Sequence, residues 1–324
     1  MNKRIFVTRK IPDIGIKILE DKGYKVDYYE EDRVLEKDEL IRHIRRVPYD
    51  AVLCLLTDRI DAEIFDSAPS VKIYSNYASG FDNIDLGAAK KRGIIVTNAP
   101  ADLSAEAVAE HTIALILALA ARIVEADEFV RRGKYEGWSP MNFIGTDVFG
   151  KTIGIVGAGR IGRRVAYYAK GLGMKILYTD IERNTEMEEK FGAIYCSSVD
   201  ELLPKVDIVT LHVPLLDSTR HLINEVRLKM MKSTSFLINT SRGPVVEEKA
   251  LERALKDKII TAAALDVFEF EPDVSSELIK LQNVILTPHI ASASDGARNQ
   301  MAEIAANNII DFLEGRVPKN IVNP

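Results

Sequence analysis

Cysteine is nearly absent from this 324-residue chain, which has only Cys54 and Cys196. Two thiols give no disulfide framework, which excludes the stapled secreted scaffolds and fits a reducing cytosol. Cys54 lies inside the apolar run Ala51-Val52-Leu53-Cys54-Leu55-Leu56, where a buried inert thiol is expected. An excess of basic charge is also lacking. With 43 Lys and Arg against 48 Asp and Glu, the net charge is -5, and no cationic footprint for nucleic acid exists. Long hydrophobic runs are missing too. The run Ile113 to Ala121, flanked by Glu110, His111 and Arg122, is less than half the roughly 20 residues a membrane span needs. A buried helix is expected there instead. The opening Met1-Asn2-Lys3-Arg4-Ile5-Phe6-Val7 runs straight into a strand pattern without a secretory apolar segment, so a cytoplasmic protein is expected. Repeats and low-complexity linkers are not found, and tryptophan occurs once, at Trp138.

What is present is an ordinary globular composition, 47% hydrophobic and 28% charged. The length favours two domains over a single core. Strand patterns fall at 4–8, 25–29, 51–56, 72–76 and 94–98, with helical patterns such as 14–22 and 37–45 between them. This alternation predicts an α/β fold with a parallel sheet covered on both faces. Thr97-Asn98-Ala99-Pro100 interrupts it. One long helix follows from about Ser104, its expected N-cap, to Arg132, and Gly133 closes it. A second alternation has strands at 152–156, 175–179, 208–212, 235–239, 262–266 and 284–287, and ends in a helix over 294–315. Two doubly wound units are therefore expected, without a flexible tether.

Thr152–Val156 runs into Gly157-Ala158-Gly159-Arg160-Ile161-Gly162 and then a helix to Gly171. The first glycine permits the tight turn and the second lets backbone approach a pyrophosphate. The third, Gly162, lets helix and strand pack closely, while the helix N-terminus offers N–H groups to phosphate. The next strand ends in Asp180, where a carboxylate can accept from the adenosine ribose. Such an acid repels a 2′-phosphate, so NAD is expected over NADP. Arg183, three residues on, partly offsets that repulsion.

Three polar residues then follow at strand ends: Arg242, Glu271 and His289. Singly, each has a plain explanation: a surface or ion-paired arginine, a solvated acid within Glu269–Asp273, a satisfied turn histidine. Together they fall outside the carboxyl ends of strands, where doubly wound sheets bind ligands. Arginine can grip a carboxylate and polarise the neighbouring carbonyl. Histidine can deliver a proton, and glutamate can favour and orient the imidazolium. A hydride must come from nicotinamide.

The chain resembles the D-isomer-specific 2-hydroxyacid dehydrogenases over essentially its whole length. The motifs are Ala78-Ser79-Gly80-Phe81-Asp82-Asn83-Ile84-Asp85, the glycine fingerprint, Leu211-His212-Val213-Pro214 and the three late motifs. The resemblance implies that Arg242 binds and polarises substrate, with His289 as acid/base and Glu271 as its partner. Amides around Ser79 and Gly80 would bind the substrate carboxylate. Gly157, Gly159, Arg160, Ile161, Gly162, Asp180, Val213, Pro214, Thr219, Thr240, Ser241 and Asp266 would form the NAD site; no metal site is implied. It further implies a Rossmann NAD-binding domain, 99–289, inserted into a flavodoxin-like substrate domain of 1–98 and 290–324. Crossings near 98–100 and 290–294 would serve as hinges, and the helix at 104–132 would build a homodimer. Ser75-Asn76-Tyr77-Ala78 and Trp138-Ser139-Pro140 look most like the glyoxylate/hydroxypyruvate reductase branch, with Trp138 reaching toward the partner's site. Phosphoglycerate enzymes usually carry an arginine before the glycine loop, where this chain has Asn76-Tyr77. A phosphoglycerate dehydrogenase-like enzyme, a D-lactate dehydrogenase-like enzyme and a non-catalytic NAD-sensing binding protein are the other readings. His212 is expected to be a strand-end residue without a chemical role.

Overall fold

The computed structural model describes residues 3–324. They divide into two compact units, one of the residues up to 104 with 293–324 and one of 105–292.

The first unit holds a parallel five-stranded sheet. Its strands are β1 (Arg4–Val7), β2 (Lys25–Tyr28), β3 (Ala51–Leu55), β4 (Ile73–Tyr77) and β5 (Ile95–Thr97), in the order β2-β1-β3-β4-β5. Every residue of β3 and β4 is buried. The apolar run of β3 reflects burial on both faces, as parallel strands require. One apolar layer packs Ile44, Ile64 and Phe65 against the sheet. The other packs Leu19 and the Met301, Ala305 and Ile309 stripe of the terminal helix, Asp295–Leu313. That helix starts where Ser294 Oγ accepts the Ala297 N–H at 3.2 Å, a side-chain cap for an otherwise orphaned donor.

The second unit carries β6 (Thr152–Val156), β7 (Lys175–Thr179), β8 (Ile194–Tyr195), β9 (Ile208–Leu211), β10 (Phe236–Asn239), β11 (Ala262–Leu265) and β12 (Val284–Leu286). Their order is β12-β11-β10-β9-β6-β7-β8, and all pairs are parallel. The order reverses at β6, so the crevice outside the carboxyl ends of β6 and β9 is the expected ligand position. Helix Glu248–Lys256 buries Leu251 and Leu255 against the sheet, each contributing about 1.5–3 kcal/mol.

Three sequence expectations need correction. The expected helix from Ser104 to Arg132 is two helices, Asp102–Ala120 and Ile123–Arg131. Arg122 takes a left-handed φ of 55° between them. The Ala120 carbonyl turns out of the helix to accept from Thr146 N at 2.8 Å. Gly145 packs so tightly there that an added Cβ would lie 2.1 Å from that oxygen. Ser104 consequently sits inside the first turn and is not the N-cap. The unit division also falls later than expected, at 104/105 and 292/293. Leu103 N bonds Gln300 Oε1 at 2.9 Å, tying the helix start to the first unit. Ile290 and Ala291 donate to Asp266, holding them in the second. By length and composition the 102–120 helix could cross a membrane, yet half of its apolar window is buried within the protein.

Both thiols are buried, and burial pushes the Cys54 thiol well above its ordinary range, as expected for an inert side chain.

Candidate active site

The glycine turn between β6 and the helix Arg160–Gly171 shows why each glycine stands where it does. Gly157 has φ 99°, and a Cβ there would lie 2.6 Å from the His212 carbonyl oxygen, at the end of β9. At Gly162 a Cβ would meet the Gly157 oxygen at 2.0 Å, so only glycine lets the helix seat on the turn. Gly159, the N-cap, has nothing within 4 Å of a Cβ position. Open space beside a helix N-terminus is what an approaching pyrophosphate needs.

Asp180 lies at the end of β7 and bonds this turn directly. Its Oδ2 accepts from Ala158 N at 2.6 Å and its Oδ1 from Ile181 N at 2.6 Å. Arg183 is drawn the other way, with Nε and Nη2 on Glu188 at 2.7 and 2.9 Å and its guanidinium over the Tyr195 ring. A cation held in this fork is not poised for a 2′-phosphate. The donor set therefore fits NAD: an open helix N-terminus for phosphates and an unneutralised acid for the ribose.

Farther along, Thr219 Oγ1 donates to the Pro214 carbonyl and accepts from Leu216 N at 2.8 Å, closing the loop that carries Val213 and Pro214. Buried Thr240 shares a hydroxyl bond of 2.9 Å with Thr112. Ser241 bonds Asn239 Oδ1 through both N and Oγ.

The late trio comes from three strand ends of one sheet. His289 Nδ1 lies 2.9 Å from Glu271 Oε2, and Phe268 N donates to Glu271 Oε1 at 3.0 Å. Burial alone would raise the Glu271 carboxyl. The His289 bond and charge, the Phe268 N–H and the Arg242 guanidinium outweigh it and hold the group below its usual range. Arg242 follows β10 and donates from Nη1 to the Ser241 carbonyl at 2.8 Å. Its neighbour Gly243 presses on the Glu271 segment, where a Cβ would be 1.8 Å from the Phe268 oxygen. No larger residue allows the two segments this approach. His289 itself has φ 54°, a left-handed conformation uncommon outside glycine and worth a functional explanation.

Asp266 explains how that conformation persists. It is fully buried, and its carboxylate accepts from Thr287 Oγ1 at 2.6 Å, Ile290 N at 2.9 Å and Ala291 N at 2.8 Å. His111 Nε2 stands 3.6 Å away. Burial would raise this carboxyl, but the His111, Thr287 and backbone bonds lower it. The buried anion thus clamps the turn on both sides of His289. His111 and this clamp went unread in the sequence, because the partners are separated by up to 176 positions.

Two further histidines differ in kind. His212 Nε2 bonds Thr210 Oγ1 at 2.9 Å, its Nδ1 is buried without a partner, and burial pushes its pKa down to about 3. A ring held neutral in this way shuttles no protons near neutral pH. His221 forms a second histidine–carboxylate pair, at 2.6 Å from Glu269 Oε1. Glu269 and Glu248 then accept each other's backbone N–H at 3.0 Å. Glu269 is therefore a nearly buried structural acid and not part of a solvated loop. Ser79 and Gly80 belong to the first unit, at the end of β4. Among the described residues, no group of His, Cys, Asp and Glu is arranged to hold a metal.

A parallel sheet with a glycine turn, a strand-end acid and a carboxylate–imidazole pair beside an arginine defines the class of nicotinamide-dependent dehydrogenases. The sequence model of the NAD binding domain of D-isomer specific 2-hydroxyacid dehydrogenases matches residues 113–291. A glyoxylate reductase of Pyrococcus horikoshii is 47% identical over 100% of this chain and 96% of its own length. A solved Thermus thermophilus structure superposes with TM-score 0.92 at 38% identity, covering 98% of this chain and 99% of that one. A D-lactate dehydrogenase of Aquifex aeolicus, solved with NAD and lactic acid, gives TM-score 0.85 at 32% identity, with 99% of both chains covered. The chain belongs to the D-isomer-specific 2-hydroxyacid dehydrogenase family and is an NAD-dependent oxidoreductase of small 2-keto and 2-hydroxy acids.

Proposed function

We propose that this enzyme reduces glyoxylate, and hydroxypyruvate beside it, to the corresponding 2-hydroxy acid, with Arg242, Glu271 and His289 carrying the chemistry. The observation behind this reading is the 2.9 Å Glu271–His289 pair with the Arg242 charge acting on it. Arg242 grips the substrate carboxylate in a two-pronged fork and directs a further N–H to the carbonyl oxygen. Glu271 occupies His289 Nδ1, so Nε2 is the nitrogen that gives its proton to that oxygen. Bound NADH supplies the hydride. Gly157, Gly159, Arg160, Ile161 and Gly162 hold the pyrophosphate, and Asp180 the ribose. Val213, Pro214, Thr219, Thr240 and Ser241 flank the cofactor, and Asp266 fixes the turn that presents His289. Ser79 and Gly80 are read as residues that bind the substrate carboxylate.

Glyoxylate is favoured over phosphorylated acids because position 76 is an uncharged, fully buried asparagine in place of a phosphate-binding cation. The test is NADH absorbance decay with a panel of 2-keto acids, repeated with NADPH. Glyoxylate and hydroxypyruvate should be reduced with the highest kcat/KM, and NADH should outperform NADPH. Binding of NADH without turnover of any keto acid would overturn the enzyme reading in favour of a non-catalytic NAD-sensing protein.

We also infer a homodimer through the 104–132 region. Helix 123–131 buries none of its residues, and Ile123, Val124 and Val130 are each more than half exposed. Trp138 and Phe149, at 84% and 79%, add exposed apolar area downstream. Such clustering marks an interface. Sedimentation should give a dimer, and an Ile123→Glu/Val130→Glu variant a monomer; a monomeric parent protein at all concentrations would end this assignment. A cytoplasmic location agrees with two buried, unpaired thiols.

A further inference from the structure

The turn after β4 carries more information than its glycine. Asn98 Nδ2 donates to the Ser79 carbonyl at 2.7 Å, and Asn76 Nδ2 donates to the Gly80 carbonyl at 2.9 Å. Both asparagines are buried, while Ser79 and Phe81 are exposed. A trans peptide is planar, with its C=O and N–H pointing opposite ways. Fixing the Ser79 oxygen therefore fixes the direction of the Gly80 N–H. Fixing the Gly80 oxygen likewise fixes the Phe81 N–H. Neither N–H meets an acceptor among the described residues. Two consecutive backbone donors, each turned away from a buried carboxamide, are the makings of an anion-binding nest.

We propose that Asn76 and Asn98 are positioning residues that aim the Gly80 and Phe81 N–H groups at the substrate carboxylate. The proposal rests on the reading of this loop as the carboxylate site. It adds the Phe81 N–H to the Ser79 and Gly80 amides of that loop.

The carboxamides are themselves held in place. Asn76 Nδ2 also reaches Asn83 Oδ1 at 3.0 Å, and its Oδ1 lies 3.7 Å from the Cys54 thiol. Asn83 Nδ2 is anchored in turn on the Leu55 and Asp58 carbonyls at 3.1 and 3.0 Å. On the other side, Asn98 O accepts from Asn308 Nδ2 at 3.0 Å, and Asn98 N donates to the Asn320 carbonyl at 3.1 Å. Asn308 is a buried polar residue of the terminal helix. A buried polar side chain costs stability unless its bonds are made, and here those bonds converge on two carbonyls of one exposed turn. Aspartate would occupy the same space but would present only acceptors to the carbonyls.

The test is carried out on the full-length enzyme. In Asn98→Ala and Asn76→Ala, KM for glyoxylate should rise about tenfold, the scale of one misdirected hydrogen bond. The Ki of oxalate, a dead-end dicarboxylate, should rise in parallel. The Kd of NADH, read by fluorescence titration, should stay at the parent value. Should an alanine variant lose its thermal transition, Asn98→Ser and Asn76→Ser supply the same constants. Folded variants with unchanged KM and oxalate Ki overturn the positioning role. A parent enzyme that turns over no 2-keto acid overturns the functional reading itself.

Discussion

Replacing His289 by asparagine is expected to slow keto-acid reduction by roughly 10²- to 10⁴-fold, the usual range for loss of a positioned general acid. The Kd of NADH should hardly change. The asparagine keeps polar contact with Glu271 but has no proton of suitable acidity to give. A reduction rate within about threefold of the parent would remove His289 from the chemistry.

The pH profile gives the same pair a sharper test. Reduction uses the imidazolium, so the rate should fall as pH rises. Oxidation of the hydroxy acid uses the neutral ring and should show the opposite slope. On the acid side, Glu271 is held below the usual carboxylate range, so its carboxylate stays charged well into mild acid. In Glu271→Gln the carboxylate that favours the imidazolium is gone. The falling limb should then move to lower pH. An unmoved limb would leave Glu271 with only the Phe268 N–H to serve.

Arg242→Ala is expected to lower kcat/KM by roughly 10²- to 10⁴-fold. Two charge-assisted bonds of about 1.5–3 kcal/mol each are lost, and each 1.36 kcal/mol corresponds to about a factor of ten. Arg242→Lys should recover only part of this, since an ammonium keeps the charge without the planar fork. The thermal midpoint should stay close to the parent value, because the tight contact in this segment belongs to Gly243 and the Phe268 backbone. Saturation kinetics with glyoxylate would decide the matter: an Arg242→Ala enzyme of near-parent kcat/KM contradicts the assigned role.

Much of this was legible in the chain before any coordinates. β6 and β7 begin and end where the pattern placed them, because buried parallel strands are continuous apolar runs closed by glycine or acid. β8 escaped, as a two-residue edge strand has no periodicity to detect. The break at Arg122 escaped for a different reason. Neither proline nor glycine marks it, and its cause is Gly145 and Thr146 packing on the Ala120 carbonyl from 25 positions away. Arg242, Glu271 and His289 could be picked out as candidates because each follows a strand pattern. The Asp266 clamp, the His221–Glu269 pair and the Asn98–Asn308 bond could not, since their partners meet only after the sheets are assembled.

Glu269 and Glu271 stand two residues apart and serve different masters. One is locked to His221 and Glu248, the other to His289. The Phe270 side chain between them is 59% exposed. During divergence, this stretch should therefore tolerate exchange at position 270 but not a change in length. One residue inserted or deleted there would put each carboxylate out of register with its histidine, so related chains that keep both histidines should keep the Glu-x-Glu spacing while the middle letter drifts.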